Sequence, residues 1–158
     1  MMMNGGFSLI EVMVAMVIAG IALMGVLGAV EVSSRHLQQG GLNSKAIELA
    51  QARLEAKRSV RWQSLLEDDL DRDGTFETLM MDDGQGPDRT AGDGVYTAGY
   101  ERDGMTVVWT IEAERTGPLR SAPMVRIRAV ASYSGLNGHR RHVQVATIRA
   151  NPNFVGQR

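Results

Sequence analysis

The 158 residues contain no cysteine, which excludes a disulfide framework, a thiolate metal site and a thiol nucleophile. The absence leaves the compartment open, since cysteine-free chains work in oxidising spaces as well as reducing ones. Basic residues are missing from the first 34 positions, Arg35 being the first. The opening MMMNGG therefore lacks the positive stretch that precedes the apolar region of a cleaved secretory signal. Histidine is scarce, and His36, His139 and His142 have no spacing that suggests a metal or catalytic group. No nucleophile, histidine and carboxylate fall together by spacing, so an enzyme is not expected. Aromatic side chains do not interleave with the arginines of the C-terminal third, which argues against single-stranded nucleic acid as a partner.

What is present is strongly segregated. The net charge of -1 hides three regions: residues 1–66 carry six basic and four acidic residues, 67–103 carry three and twelve, and 104–158 carry eight and two. One domain of ordinary composition accounts for the length.

From Phe7 to Val30 the chain reads FSLIEVMVAMVIAGIALMGVLGAV. As a helix this run is roughly 36 Å long, enough to cross a hydrocarbon core of about 30 Å with some tilt. A buried core helix is the alternative, but a single small domain could hardly enclose so long an apolar run. Glu11 is its one charge. A carboxylate inside a membrane costs about 2.5–3.5 kcal/mol on insertion scales and calls for a partner. That partner is another chain, interfacial water, or an amine created at a new N-terminus. Ala15/Ala19 and Gly25/Ala29 place small residues at the four-residue spacing that lets apolar helices approach closely. Gly20, Gly25 and Gly28 weaken the helix by about 1 kcal/mol each relative to alanine, which permits local extension.

Gly6-Phe7-Ser8-Leu9-Ile10-Glu11-Val12, followed by this run, resembles the processing and assembly motif of type IV pilin-like proteins, which include pilus subunits and the pseudopilins of type II secretion. The resemblance implies a leader of residues 1–6, cleavage between Gly6 and Phe7 by a prepilin peptidase, and methylation of the new N-terminus on Phe7. It also implies that Glu11 pairs with the N-terminal amine of a neighbouring subunit during assembly. An ion pair in an apolar bundle offsets the desolvation that a lone carboxylate would suffer. The location it implies is the bacterial inner membrane as a single-pass protein, then a periplasmic or extracellular filament. By the positive-inside rule alone, Arg35 and Lys45 would put the C-terminal side in the cytoplasm; the resemblance implies an exported body instead.

Beyond Val30, the positions Leu42, Ala46, Leu49, Ala50, Arg53, Leu54 and Leu65 recur at helical spacing, predicting an amphipathic helix over 31–66. Gly40-Gly41 is a candidate bend, and Glu31 with Arg35 a favourable pair.

Residues 67–103 are rich in Asp and Gly and read as a long loop region. Asp69-x-Asp71-x-Asp73-Gly74 has the opening of an EF-hand-type calcium loop, with Glu77 at its ninth position. The twelfth is Met80 rather than a bidentate Glu, so Asp82 or Asp83 would have to complete the site. Asp83, Asp88 and Asp93 lie in a second Asp/Gly stretch similar to loops of exported bacterial calcium-binding domains. Hard oxygen ligands on tight turns suit calcium, and a weak extracellular-type site would serve as a structural staple. The same residues also favour turns and solubility without any ion.

Val107, Trp109, Ile111 and Ala113 alternate with polar or outward residues through Glu114, as do Val125, Ile127, Ala129, Ala131 and Tyr133; His142 to Arg149 supplies a third strand. Thr116-Gly117-Pro118 and Leu136-Asn137-Gly138 provide the turns. Arg126 and Arg128 share a face, and Arg140, Arg141 and Arg149 extend the basic end, read as a solvated face or as partners for the acidic loop.

The expected fold is α+β and pilin-like: a long N-terminal helix, its first half membrane-spanning, packed on a small antiparallel sheet over 104–158. The expected function is a non-catalytic structural subunit, a minor pilin, with other pilin-like subunits, prepilin peptidase and inner-membrane assembly machinery as partners. A minor pseudopilin of type II secretion shares every N-terminal feature. A membrane-tethered calcium-dependent binding module, uncleaved and unpolymerised, and a DNA-binding pilin whose affinity falls with salt, are rivals from other classes.

Overall fold

The computed structural model describes residues 8–71, 73–113 and 119–154. One helix, α1 (Leu9–Ser59), is followed by β1 (Glu67–Asp68), β2 (Thr78–Leu79), β3 (Val95–Arg102), β4 (Met105–Ala113), β5 (Met124–Ser134) and β6 (Arg140–Ala150). Short 3-10 turns lie at Trp62–Ser64 and Leu119–Ser121. The chain divides into two units, residues up to Gly40 and residues from Gly41.

In the first unit α1 leaves its apolar side chains open: Leu9, Ile10, Met16, Ile21, Met24 and Leu27 are all exposed. By length and composition this part of α1 is fit to cross a membrane, and such all-round hydrophobicity is what a lipid environment accepts and water does not. The helix includes Gly40-Gly41.

In the second unit α1 buries Ala46, Ala50, Arg53 and Lys57, one stripe at four- and three-residue spacing. The sheet is antiparallel in the order β3-β4-β5-β6. Its inner face contributes Val107, Trp109, Ile111, Val125, Ile127, Ala129 and Ala131, all fully buried. In register, Trp109 lies between Ala98 on β3 and Ala129 on β5, so small neighbours make room for the indole, and Tyr100 packs against it at 5.6 Å between ring centres. Packing at organic-crystal density needs this alternation of large and small.

Two expectations are corrected. The helix stops at Ser59 rather than 66. Leu65 does reach the core, but from the 3-10 turn after the helix, so its agreement with the helical period was coincidental. The stretch read as loop holds a fourth long strand, β3, and the small β1-β2 hairpin. β3 joins β4 through Asp103-Gly104, both at positive φ, 53° and 71°, the two-residue turn that matches strand twist. The anticipated Thr116-Gly117-Pro118 turn and Glu114 lie outside the described residues.

Candidate functional site

Gly6 and Phe7, the expected cleavage and methylation residues, lie outside the described residues. Glu11 sits in the first turn of α1, where its backbone N–H donates to the Ser8 carbonyl at 3.0 Å. A negative side chain suits that end of a helix. Among the described residues of the first unit, no side chain from residue 8 to 38 is buried, so the apolar face and Glu11 are both unsheltered within the single chain.

The acidic site is built on the β1-β2 hairpin. The Met80 N–H donates to the Leu66 carbonyl at 2.8 Å and the Glu77 N–H to the Asp68 carbonyl at 3.0 Å, closing the loop between them. Within it Gly74 takes φ 94°, which a side chain would resist, and its N–H donates to Asp69 Oδ2 at 2.9 Å. Asp71 and Asp73 accept the N–H groups two residues on, at 3.1 and 2.7 Å. The Thr75 hydroxyl and N–H hold the Asp73 carboxyl below its usual range. One carboxylate oxygen from each of Asp69, Asp71, Asp73 and Glu77 lies within 4.8 Å of the others. This acidic group could hold a metal ion, and hard oxygen donors match calcium or magnesium chemistry.

Asp83, Asp88 and Asp93 fall outside that group, as does Asp82. Their carboxylates organise the next loop instead. Asp82 accepts the N–H groups of Gly92, Asp93 and Gly94, Asp88 those of Gly84 and Thr90, Asp83 that of Gln85 and Asp93 that of Val95. The Gly84 N–H leads the bonds that hold Asp88 below its ordinary value. Asp82 and Asp83, the residues expected to complete the ion site in place of a twelfth-position Glu, do not join it.

A buried polar cluster fixes the base of the acidic hairpin, and sequence reasoning missed it. The Lys57 ammonium donates to the Leu65 and Glu67 carbonyls at 2.8 and 2.9 Å and pairs with Asp68 at 2.8 Å, both side chains nearly inaccessible. Asp68 also accepts the Trp109 indole N–H at 2.7 Å. Burial pushes Lys57 down and Asp68 up, each opposed by attraction to the other. Arg53 donates to the Leu70 carbonyl at 3.0 Å and lies over the Tyr100 and Trp109 rings. Arg149, half-buried rather than part of a solvated basic face, donates to the carbonyls of Lys57 and Val60. It thereby caps the end of α1, where a cation also meets the favourable end of the helix dipole.

Other basic residues are exposed or half-buried where described. Arg126 pairs with Glu112 at 3.2 Å, Lys45 with Asp103 at 2.8 Å, and His36, His139 and His142 are exposed.

An exposed apolar N-terminal helix joined to an antiparallel sheet makes this an α+β protein of pilin-like architecture. Residues 1–27 match the family described as the prokaryotic N-terminal methylation motif. That motif marks type IV pilin-like proteins, and it implies processing by a prepilin peptidase and pilus assembly with other pilins. No curated protein and no solved structure matches the chain significantly.

Proposed function

We propose that the chain is a non-catalytic structural subunit, a minor pilin, of a type IV pilus-like filament. The carrying observation is the methylation motif at residues 1–27, leading into a helix whose apolar surface is not buried by any of the described residues. Such a surface is stable in lipid or against other helices of its kind. A Cβ added at Gly20, Gly25 or Gly28 would meet nothing within 4 Å among the described residues beyond the helix's own neighbouring backbone, which fits a role for those glycines in contacts between chains or in local extension. Cleavage after Gly6 leaves Phe7 as the methylated N-terminus, and Glu11 pairs with that amine on a neighbour. The body is exported and the protein passes from inner membrane to filament. Recovery of the chain in surface filaments sheared from its host tests this reading. Co-purification with pilus subunits supports the minor pilin, co-purification with secretion components supports a minor pseudopilin, and absence from filaments contradicts both.

Calcium at Asp69, Asp71, Asp73 and Glu77 serves as a staple for the hairpin. At weak extracellular-type affinity, calcium at ten times its dissociation constant stabilises the fold by about 1.4 kcal/mol. Thermal unfolding of the full chain in detergent is expected to show this gain and its loss in Asp71→Asn/Asp73→Asn. Asp83→Asn is expected to leave the calcium response intact. Equal calcium response in wild type and the double variant would contradict the site. A filament-free chain with an intact leader and calcium-dependent ligand binding would favour the tethered binding module.

A further inference from the structure

We propose that the free edge of β6 docks an extended, carboxylate-bearing strand of another protein, which joins the four-stranded sheet beside β6. The geometry lies wholly within the second unit. At one end of the β5-β6 ladder the Gly135 N–H donates to the His139 carbonyl at 2.9 Å, and at the other the Asn151 N–H donates to the Pro123 carbonyl at 2.8 Å. Between them the register runs unbroken from Ser134 opposite Arg140 to Met124 opposite Ala150. Bonded positions alternate in an antiparallel pair, so residues 141, 143, 145, 147 and 149 direct their N–H and C=O groups to β5. Those of His142, Gln144, Ala146 and Ile148 point away from it, and among the described residues nothing meets them. The other edge of the sheet differs. Thr97 of β3 exchanges both backbone bonds with Met81, at 2.8 and 3.2 Å, and the Val95 N–H donates to Asp93 Oδ1, so the chain itself closes that edge over its first half.

Sheet edges that stay unpaired are usually short, bulged or interrupted by proline. β6 has 11 residues, no proline and no break in register. Its row of unpaired backbone donors and acceptors is matched along its length by another extended chain. The side chains decide which chain. Arg140 turns to the outer face, where it lines a groove with Asp88, Asp93 and Glu101. Arg141 turns to the inner face, in line with Val143, Val145 and Arg149, and among the described residues no carboxylate pairs with it. Val143 and Val145 are only half-buried against the core, and an added strand would cover them further. A second copy of β6 fits poorly. In the two-fold pairing centred on Val145, Arg141 of each copy stands opposite Arg149 of the other, and like charges directly opposite destabilise a sheet. No register of two β6 strands supplies a carboxylate, because the sequence has no Asp or Glu after Glu114. A strand carrying Glu or Asp beside Arg141 and Arg149 turns that repulsion into attraction.

The probe is a synthetic extended peptide of about ten residues, alternating valine and threonine with a glutamate near each end, and its counterpart with lysines in place of the glutamates. Amide hydrogen exchange of the full chain in detergent, resolved residue by residue, reads the docking. In the chain alone, the amides at 142, 144, 146 and 148 are expected to exchange much faster than those at 143, 145 and 147. The glutamate peptide at saturation is expected to slow the first set at least about tenfold. The lysine peptide is expected to need at least about fivefold higher concentration at low salt, a difference that high salt erases. Arg141→Glu should reverse the preference. Ala146→Pro removes an outward donor and no β5-β6 bond, so it should keep its thermal transition and lose the protection by peptide. Where Ala146→Pro does not fold, the exchange pattern of the wild type decides. Outward amides that stay fast with both peptides, or that respond equally to both, would overturn the proposal. So would outward amides already slow in the chain alone: slowing that grows with protein concentration assigns the edge to a second copy, and slowing at every concentration shows that the chain covers it itself.

Discussion

Glu11→Ala is expected to be cleaved after Gly6 as the wild type is, and to be lost from filaments. A carboxylate among apolar side chains carries an insertion cost of about 2.5–3.5 kcal/mol, so alanine makes the helix a better membrane segment and should not impede its insertion. The cost is offset only where a cation meets the carboxylate, and the first 34 positions contain no basic side chain to do so. In the proposed filament the new N-terminal amine of a neighbouring chain supplies the charge. Removing one partner of a buried ion pair costs about 3–5 kcal/mol, which corresponds to at least about a hundredfold loss of incorporation. Glu11→Gln, which keeps the shape and removes the charge, should behave like the alanine variant. The measurement is the ratio of chain in sheared filaments to chain in membranes, with the processed mass confirmed in both. Normal incorporation of Glu11→Ala would remove the ion pair from the account.

Lys57→Met is expected to destabilise the second unit by about 3–5 kcal/mol, because it strands Asp68 in the core together with the Leu65 and Glu67 carbonyls. In thermal unfolding of the full chain in detergent this corresponds to a fall of roughly 10–20 °C. The pH dependence gives the mechanism a signature. In the variant, Asp68 loses the attraction that opposes burial, so its folded pKa rises further above the ordinary 3.8. The folded state then holds a proton that the unfolded state releases, and stability falls as pH rises above the ordinary carboxylate value. The deficit relative to wild type should therefore be larger at pH 8 than at pH 4. Lys57→Met/Asp68→Leu should recover part of the loss and lose the added pH dependence, while the Trp109 indole and the two carbonyls still lack partners. A single variant as stable as wild type, or a deficit unchanged by pH, would show that the pair does not hold the hairpin base.

The pattern of residues made some of this visible in advance. The run from Phe7 to Val30 could be read as unsheltered because its hydrophobicity has no polar face, and no described residue of it is buried. Trp109 and Ile127 announced their strands by strict alternation, since one face of each strand is buried. The spacing of Asp69, Asp71, Asp73 and Glu77 anticipated their convergence because their relation is local. β3 was hidden because Gly99 interrupts its outer face and its start adjoins an Asp/Gly turn. At Gly99 a Cβ would come within 3.0 Å of the Val107 carbonyl, so the residue that weakens the strand signal is the one that permits the close approach. Nothing in the sequence pattern sets Lys57 and Asp68 apart from solvated charges, and only the fold back after Ser59 brings them together. Arg149 belonged by composition to a basic face, but strand pairing turns it inward to the helix end. Asp83, Asp88 and Asp93 shared the composition of ion ligands while their local geometry gives their oxygens to backbone N–H groups.

The central claim is that this chain is processed at its methylation motif and assembled. The most direct test is intact-mass and N-terminal peptide analysis of the protein recovered from membranes and from sheared surface filaments of its own host. The account predicts a chain beginning with N-methylated Phe7 and present in the filament fraction. A chain still carrying residues 1–6 and confined to membranes would contradict it.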